Sequence, residues 1–159
     1  MAKGLPEDVS PVGMRIRETI SLDGMKEPAR ELTEALEHLA PGRALDLACG
    51  EGRHSRWLAS RGWEVTGIDR EQADLEAHEY SIEPRTWDLI VCWLYWQADL
   101  LPEIAAGVRP GGVVALAGKT SGRFATSLAN YRAAFPGWTE LAAGDDGNRA
   151  FFIAQSYNK

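Results

Sequence analysis

The chain has 159 residues and a formal net charge of -6 at pH 7. This length suggests one domain spanning residues 1–159. The presence of only two cysteines suggests a reducing cytoplasm. Its scattered Lys and Arg residues make an acidic chain of this kind a poor match for nucleic-acid phosphates. Because the sequence contains no apolar run of about 18 residues and no signal-peptide pattern, we expect no membrane span and no secretion.

The N-terminal part of the chain, residues 1–27, mixes prolines and glycines with polar residues, so we expect an irregular or short helical arm. A helix is predicted from Pro28, because four apolar residues follow with helical spacing: Leu32, Ala35, Leu36 and Leu39. The helix is expected to end at the breaker pair 41–42. The core is therefore predicted to occupy residues 28–159.

A strand, a glycine-containing loop, a helix and a second strand follow in the next 27 residues, 43–69. The apolar run 43–48 suits a strand buried on both faces of a parallel sheet. In the loop, Gly50 and Gly52 flank Glu51, a composition that lets the backbone pass close to a bound small molecule. After a helix that ends near Gly62, the second strand ends in the carboxylate of Asp69.

Residues Asp46-Leu47-Ala48-Cys49-Gly50-Glu51-Gly52 resemble motif I of the class I S-adenosylmethionine-dependent methyltransferases, with Ala48 in place of the first glycine. The run Gly50-Glu51-Gly52-Arg53, with Trp57-Leu58-Ala59 after it, is most similar to the tellurite-resistance and thiopurine-type branch. The resemblance covers roughly residues 28–156. It implies a three-layer α/β Rossmann-like methyltransferase fold with S-adenosylmethionine as cofactor and S-adenosylhomocysteine as product.

The remaining predicted elements agree with that fold, which has a mostly parallel sheet and a C-terminal antiparallel hairpin. Strands are predicted at 87–93 and 113–118, and helices at 99–108 and 127–135. Two further strands, 138–143 and 149–155, are joined by Gly144-Asp145-Asp146-Gly147-Asn148, which is typical of a hairpin loop.

The interval between Asp69 and Asp74 is too short for a crossover to a parallel strand, which needs a dozen or more residues. The predicted fold is therefore shortened between the second strand and residue 74. Either the protein has lost a helix and an edge strand, or the sequence omits a stretch of the molecule. We slightly favour omission, because a deletion would expose the second strand as a new sheet edge.

The resemblance implies a role for each part of the predicted cofactor site. Asp69 would bind the ribose hydroxyls, the glycine loop would lie beside the methionyl group, and Asp46 would brace that loop. Asp74 and Leu75 would contact the adenine, and Cys92 would form a wall. The full predicted cofactor-binding set is Asp46, Ala48, Cys49, Gly50, Glu51, Gly52, Asp69, Arg70, Asp74, Leu75 and Cys92. Alternatively, Asp69 is a turn acid and Asp74 an exposed loop acid.

Three aromatic residues after the 87–93 strand, Trp93, Tyr95 and Trp96, are predicted to enclose the methyl acceptor, or else to cover the following helix. Lys119 and Arg123 are candidates for binding an anionic substrate, within a loop that could act as a cover. The three histidines are expected at the surface, and no metal site or catalytic residue is assigned.

These patterns predict methyl transfer from S-adenosylmethionine to a small-molecule acceptor by a monomer or homodimer. A nucleotide-cofactor oxidoreductase is disfavoured, because Ser55 occupies the position of the third glycine in the dinucleotide motif. A non-catalytic protein that binds S-adenosylmethionine or S-adenosylhomocysteine, or a scaffold relic, is the second alternative.

Overall fold

The structure is a computed structural model that describes residues 14–16, 27–49, 52–69 and 74–157. Within these ranges the chain forms one seven-stranded sheet and four α-helices. The strands are β1 (Met14–Ile16), β2 (Arg43–Leu47), β3 (Glu64–Ile68), β4 (Trp87–Trp93), β5 (Val108–Lys119), β6 (Thr139–Asp145) and β7 (Arg149–Gln155). The helices are α1 (Arg30–Leu36), α2 (Arg53–Ser60), α3 (Leu101–Gly107) and α4 (Leu128–Ala134), with a short 3-10 turn at Ala98–Leu100.

The strand order across the sheet is β1-β3-β2-β4-β5-β7-β6. Strands β3, β2, β4 and β5 pair in parallel, whereas β7 is antiparallel to both β5 and β6. The predicted mostly parallel sheet with a C-terminal antiparallel hairpin is confirmed. The central strands read as apolar runs because both of their faces are covered.

Two hydrophobic cores, one on each face of the sheet, make the fold three layers deep. One core contains residues of α1 and α2, such as Leu32 and Leu58, packed on Val91 of β4. The other contains residues of α3 and α4, such as Ile104 and Tyr131. Side chains along a strand alternate between these cores. None of the helices in the described ranges combines the length and apolar character needed to cross a lipid bilayer.

The shortened connection between β3 and β4 is accompanied by an unexpected strand. The described part of this connection, 74–86, consists of turns and extended backbone, with Leu75, Tyr80 and Ile82 buried in the core. Strand β1 pairs antiparallel with β3, from Met14 opposite Gly67 to Ile16 opposite Val65. The edge of β3 is therefore covered.

This pairing corrects the prediction of an irregular or short helical arm over residues 1–27 at positions 14–16, which form a strand. The physical reason is that an uncovered β3 would present unpaired N–H and C=O groups, which β1 satisfies. The rest of the predicted arm, 1–13 and 17–26, lies outside the described residues. Because β1 pairs with β3, a shortened connection does not leave the β3 edge exposed, and an omitted stretch is no longer favoured over a deletion.

Two boundaries also differ from prediction. Helix α1 ends at Leu36 rather than at the 41–42 breaker pair, and β5 begins at Val108, five residues before the predicted start. The register of β5 against β4 shifts between the pairs Trp87 to Val108 and Leu89 to Val113. The Pro-Gly-Gly segment therefore forms an irregularity within β5 instead of ending the preceding helix, and Gly111 has a φ of 85° there.

Candidate functional site

The carboxyl ends of four parallel strands lie side by side at one edge of the sheet. Leu47, the last residue of β2, is opposite both Ile68 of β3 and Cys92 of β4. The chain leaves β2 for β3 on one side, while β4 joins β2 on the other side. Ligands of open α/β sheets bind in the crevice at such a reversal of strand order.

The turn after β2 follows an unusual backbone path. Ala48 has a φ of 56°, and Gly52, which caps α2, has a φ of 88°. The Cys49 N–H donates to the Ile68 carbonyl at 3.0 Å, and the Gly52 N–H donates to the Cys49 carbonyl at 2.9 Å. Ala48 therefore replaces the family's glycine at a left-handed position, where its extra methyl has a conformational cost. The predicted residues Gly50 and Glu51 lie outside the described residues.

Asp46 lies beneath this turn and is 2 % exposed. Its carboxylate accepts a hydrogen bond from the Ser55 hydroxyl of α2 at 2.5 Å. Burial raises the pKa of Asp46 to about 7, the Ser55 hydrogen bond opposes this rise, and the nearby charge of Asp69 adds to it. The Asp46 side chain thus joins β2 to α2, in keeping with the predicted bracing of the loop.

A glycine in β3 provides the space for this connection. A Cβ atom at Gly67 would lie 3.1 Å from the Cys49 sulfur and 3.5 Å from the Ser55 hydroxyl. In a dinucleotide-binding loop, close packing between helix and strand depends on a glycine at the position of Ser55. Here that position holds a fully buried hydrogen-bonded serine, and the small residue is in the strand instead.

The two predicted carboxylates differ in their surroundings. Asp69 follows β3 directly and is half-buried. Asp74 is exposed, and its Oδ1 accepts hydrogen bonds from the N–H groups of Glu76 and Ala77 at 3.0 and 3.3 Å. The carboxylate of Asp74 therefore caps a local turn, as in the alternative considered for it, and its contact with adenine stays a prediction. Arg70 lies outside the described residues.

The apolar side of the predicted cofactor site is formed by Leu75 and Cys92, which belong to the same hydrophobic core. The Cys92 thiol donates to the Tyr95 carbonyl at a sulfur-to-oxygen distance of 3.7 Å. Burial raises the pKa of both Cys92 and Cys49 to about 12, with the Asp46 charge adding to the rise. Both thiols are therefore protonated at neutral pH, which suits a wall rather than a nucleophile.

The structure separates the three predicted acceptor-site aromatics. Trp93 is buried in the core beneath α1 and α2, with its ring centroid 5.8 Å from that of His54. Tyr95 and Trp96 line a surface cavity of about 750 Å³, and Trp93 is not among its lining residues. Because Trp93 is the last residue of β4, strand alternation directs it to the face opposite Cys92.

This cavity lies beside the carboxyl ends of β4 and β5. Besides the two aromatics it is lined by Lys119 at the end of β5, by residues of the following loop, including Arg123 and Phe124, and by Glu76. Glu76 and Phe124 were not predicted. Phe124 is 51 % exposed. The sequence signal that could have identified it is an aromatic residue two positions after Gly122, in the loop that follows the predicted strand.

His54 corrects the expectation of surface histidines, although His38 and His78 are exposed as predicted. It is 6 % exposed, and its Nε2 accepts the Ala29 N–H at 3.1 Å. Burial lowers the pKa of His54 to about 3, so the ring is neutral and supports the start of α1. Among the described residues, no group of three or more His, Cys, Asp or Glu side chains is arranged to hold a metal ion.

The strand order and the glycine-containing turn resemble those of the Rossmann-like class I methyltransferases. The family model for the tellurite resistance protein TehB matches residues 24–97, just under half of the chain. This match runs from α1 to the turn after β4 and contains every predicted cofactor-binding residue. The resemblance to class I methyltransferases near the tellurite-resistance branch is thus confirmed.

Individual proteins are similar over about half of the chain. Hemagglutinin 1 of Eikenella corrodens is 32 % identical over 56 % of this chain and 38 % of its own length. The malonyl-[acyl-carrier protein] O-methyltransferase of Salmonella typhimurium is 38 % identical over 52 % of this chain and 42 % of its own length. The chain therefore spans less than half the length of these relatives.

A solved structure supports the fold over a longer stretch. An S-adenosylmethionine-dependent methyltransferase from Mesorhizobium loti superimposes with a TM-score of 0.62 at 16 % identity. The superposition covers 85 % of this chain and all of that protein. The α/β methyltransferase fold therefore extends beyond the part matched by the TehB family.

Proposed function

We propose that this protein transfers the methyl group of S-adenosylmethionine to a small-molecule acceptor at the carboxyl edge of its sheet. The observation that carries the proposal is the turn after β2, in which Ala48 and Gly52 have positive φ angles. This turn lies next to Asp69, at the point where the strand order reverses. Relatives named as methyltransferases, including the malonyl-[acyl-carrier protein] enzyme, and the Mesorhizobium loti structure support it.

The residues around the turn fit the cofactor by their chemistry. Asp69 would accept hydrogen bonds from the two ribose hydroxyls, as a carboxylate with several acceptor sites can do. Ala48, Cys49 and Gly52 would lie beside the methionyl part, with Asp46 holding their backbone through Ser55. Leu75 and Cys92 would provide apolar walls for the adenine. When bound, S-adenosylmethionine supplies a methyl group on a sulfonium that leaves as a neutral thioether.

The protein's part in this chemistry is mainly to position the acceptor. An in-line displacement gains much of its rate from holding the acceptor atom close to the methyl carbon. The Tyr95 hydroxyl is a poor candidate for a base, because it stays protonated at neutral pH. It donates its proton to Gln97 at 2.6 Å, and burial raises its pKa to about 12. We therefore propose that acceptors react in an already nucleophilic form, and that any proton they lose passes to water.

The wider proposal is that residues 1–159 work as one domain in the cytoplasm, as a monomer or homodimer without a nucleic-acid partner. The acidic composition and the protonated, buried character of Cys92 support it. The oxidoreductase alternative is weakened by the hydrogen bond that Ser55 makes at the third-glycine position. A binder without turnover remains the second candidate, because the crossover after β3 is short.

Calorimetric titration with S-adenosylhomocysteine and, separately, with NAD tests the proposal. We expect S-adenosylhomocysteine to bind and NAD not to bind. Asp69→Asn should weaken S-adenosylhomocysteine binding by about tenfold, the equivalent of one charge-assisted hydrogen bond. Glu34→Gln, which removes one charge on the exposed side of α1, should leave binding unchanged. NAD binding alone would overturn the proposal.

Turnover is tested with S-adenosylmethionine and a panel of thiol, chalcogen and amine acceptors, with S-adenosylhomocysteine release as the readout. Release that depends on an acceptor supports an enzyme. Binding of S-adenosylhomocysteine with no release from any acceptor class supports the binder.

A further inference from the structure

The cavity beside Tyr95 and Trp96 carries two cationic side chains, Lys119 and Arg123. Lys119 is the last residue of β5, and Arg123 follows four residues later. Within the described ranges neither side chain has a carboxylate within 4 Å, whereas Arg132 and Arg149 each pair with a glutamate. In a chain with a net charge of -6, two such cations in one cavity create a local field opposite to that of the whole protein.

The loop that carries these cations is closed at its base. The Thr126 N–H donates to the Lys119 carbonyl at 2.8 Å, and the Thr120 N–H donates to the Asn148 carbonyl at 3.1 Å. The Thr120 hydroxyl also donates to the Gly147 carbonyl at 2.9 Å. These bonds hold the two ends of the loop together and join its first residues to the β6–β7 hairpin.

Aromatic side chains form the other walls of the cavity. The Trp96 ring lies edge-on to Tyr131, with centroids 5.4 Å apart, and the Tyr95 hydroxyl is bonded to Gln97. In the same lining, the Arg123 guanidinium lies 5.2 Å from the centroid of the Phe124 ring. Among the described residues of the lining, Glu76 is the single acidic one, so the charged residues described there sum to one positive charge. A flat apolar group with an anionic substituent complements such a surface.

We infer that the methyl acceptor is a small organic anion with an apolar body, whose anionic group is bound by Lys119 and Arg123. The inference rests on the proposed function and adds the chemical class of the acceptor. The anionic group is a point of attachment, because pairing with two cations lowers the nucleophilicity of an anion. The nucleophile is therefore another atom of the same molecule.

The residues proposed to bind the anionic group lie in the second half of the chain. Lys119, Arg123 and Phe124 all lie beyond residues 24–97, where the TehB family match ends. The TehB family match therefore contains the proposed cofactor-binding residues and the Tyr95 and Trp96 wall of the cavity, but not the two cations proposed to bind the acceptor.

The experiment measures binding of 3-phenylpropionate and of its neutral amide to the protein in the presence of saturating S-adenosylhomocysteine. We expect the acid to bind about tenfold more tightly than the amide, the difference between charged and neutral hydrogen bonding. Lys119→Gln and Arg123→Gln should each lower that ratio to about threefold or less. The matched control is Arg85→Gln, which should keep the ratio. Arg85 is an exposed arginine two residues before β4, at the opposite end of that strand from the cavity.

Equal binding of acid and amide, binding of neither, or an acid preference that survives in both cavity variants would overturn the inference. Titration of each variant with S-adenosylhomocysteine alone shows whether it is folded and separates the two proposals. If that ligand binds and the acid shows no preference, the acceptor class is wrong and the proposed function stands. If it does not bind to the wild-type protein, the proposed function fails and the acceptor class fails with it.

Discussion

Replacing Ala48 with glycine tests the left-handed turn on which the candidate site depends. An L-residue in this conformation costs about 1–2 kcal/mol relative to its preferred regions, and Ala48 has a φ of 56°. Glycine removes that cost but adds about 0.5–1 kcal/mol of chain entropy to the unfolded state. The difference predicts that Ala48→Gly stabilises the protein by roughly 0.5–1 kcal/mol, or about 2 °C in Tm.

The assay is chemical and thermal denaturation of the wild type, Ala48→Gly and a matched control, Ala44→Gly. Ala44 lies four residues earlier in β2 and is fully buried, so the same change there removes a packed methyl and loosens a strand. We expect Ala44→Gly to destabilise by roughly 1.5–2 kcal/mol. If Ala48→Gly destabilises the protein as Ala44→Gly does, the left-handed turn is refuted.

Further predictions concern buried groups. The pKa of Asp46 is raised from 3.8 to about 7, so the wild type should lose stability as the pH rises from about 4 to 7, and Asp46→Asn should remove this loss in urea titrations. The pKa of His54 is lowered from 6.5 to about 3, so His54 contributes stability that is lost as the pH falls below about 6.5. His54→Gln should remove that acid-side loss, and an unchanged pH profile would contradict the assignment. A Cβ at Gly118 would lie 2.5 Å from a Thr126 methyl and 2.8 Å from the Tyr131 hydroxyl, so Gly118→Ala should destabilise by about 1–3 kcal/mol. Thr126→Ser in the same chain should restore part of that loss, since it removes the nearer atom; no recovery would contradict the proposed clash.

Much of the fold could be predicted because its signals are local. The apolar run 43–48, the glycines around α2 and the Gly-Asp-Asp-Gly-Asn loop each determine their own structure through backbone preferences. Strand β4 was predicted with its observed bounds, Trp87–Trp93. The position of Asp69 at the sheet edge followed in the same way, from the end of an apolar strand.

What could not be predicted depends on distant partners. Strand β1 forms because β3 offers an open edge, and three residues carry no strand signal of their own. His54 is buried because the N–H of Ala29, 25 residues away, needs an acceptor. Trp93 turns away from Tyr95 because the chain leaves the strand between them, where Leu94 has a φ of 62°. Trp93 was predicted to share a site with Tyr95 and Trp96 only because the three residues are close in sequence.

A crystal structure of the protein with S-adenosylhomocysteine would show directly whether the cofactor binds at the turn after β2. We expect the ribose hydroxyls within hydrogen-bonding distance of the Asp69 carboxylate and the homocysteine part beside the turn from Ala48 to Gly52. We also expect an open path from the ligand's sulfur to the cavity at Tyr95 and Trp96. A ligand bound away from Asp69, or a sulfur closed off from that cavity, would contradict the proposal.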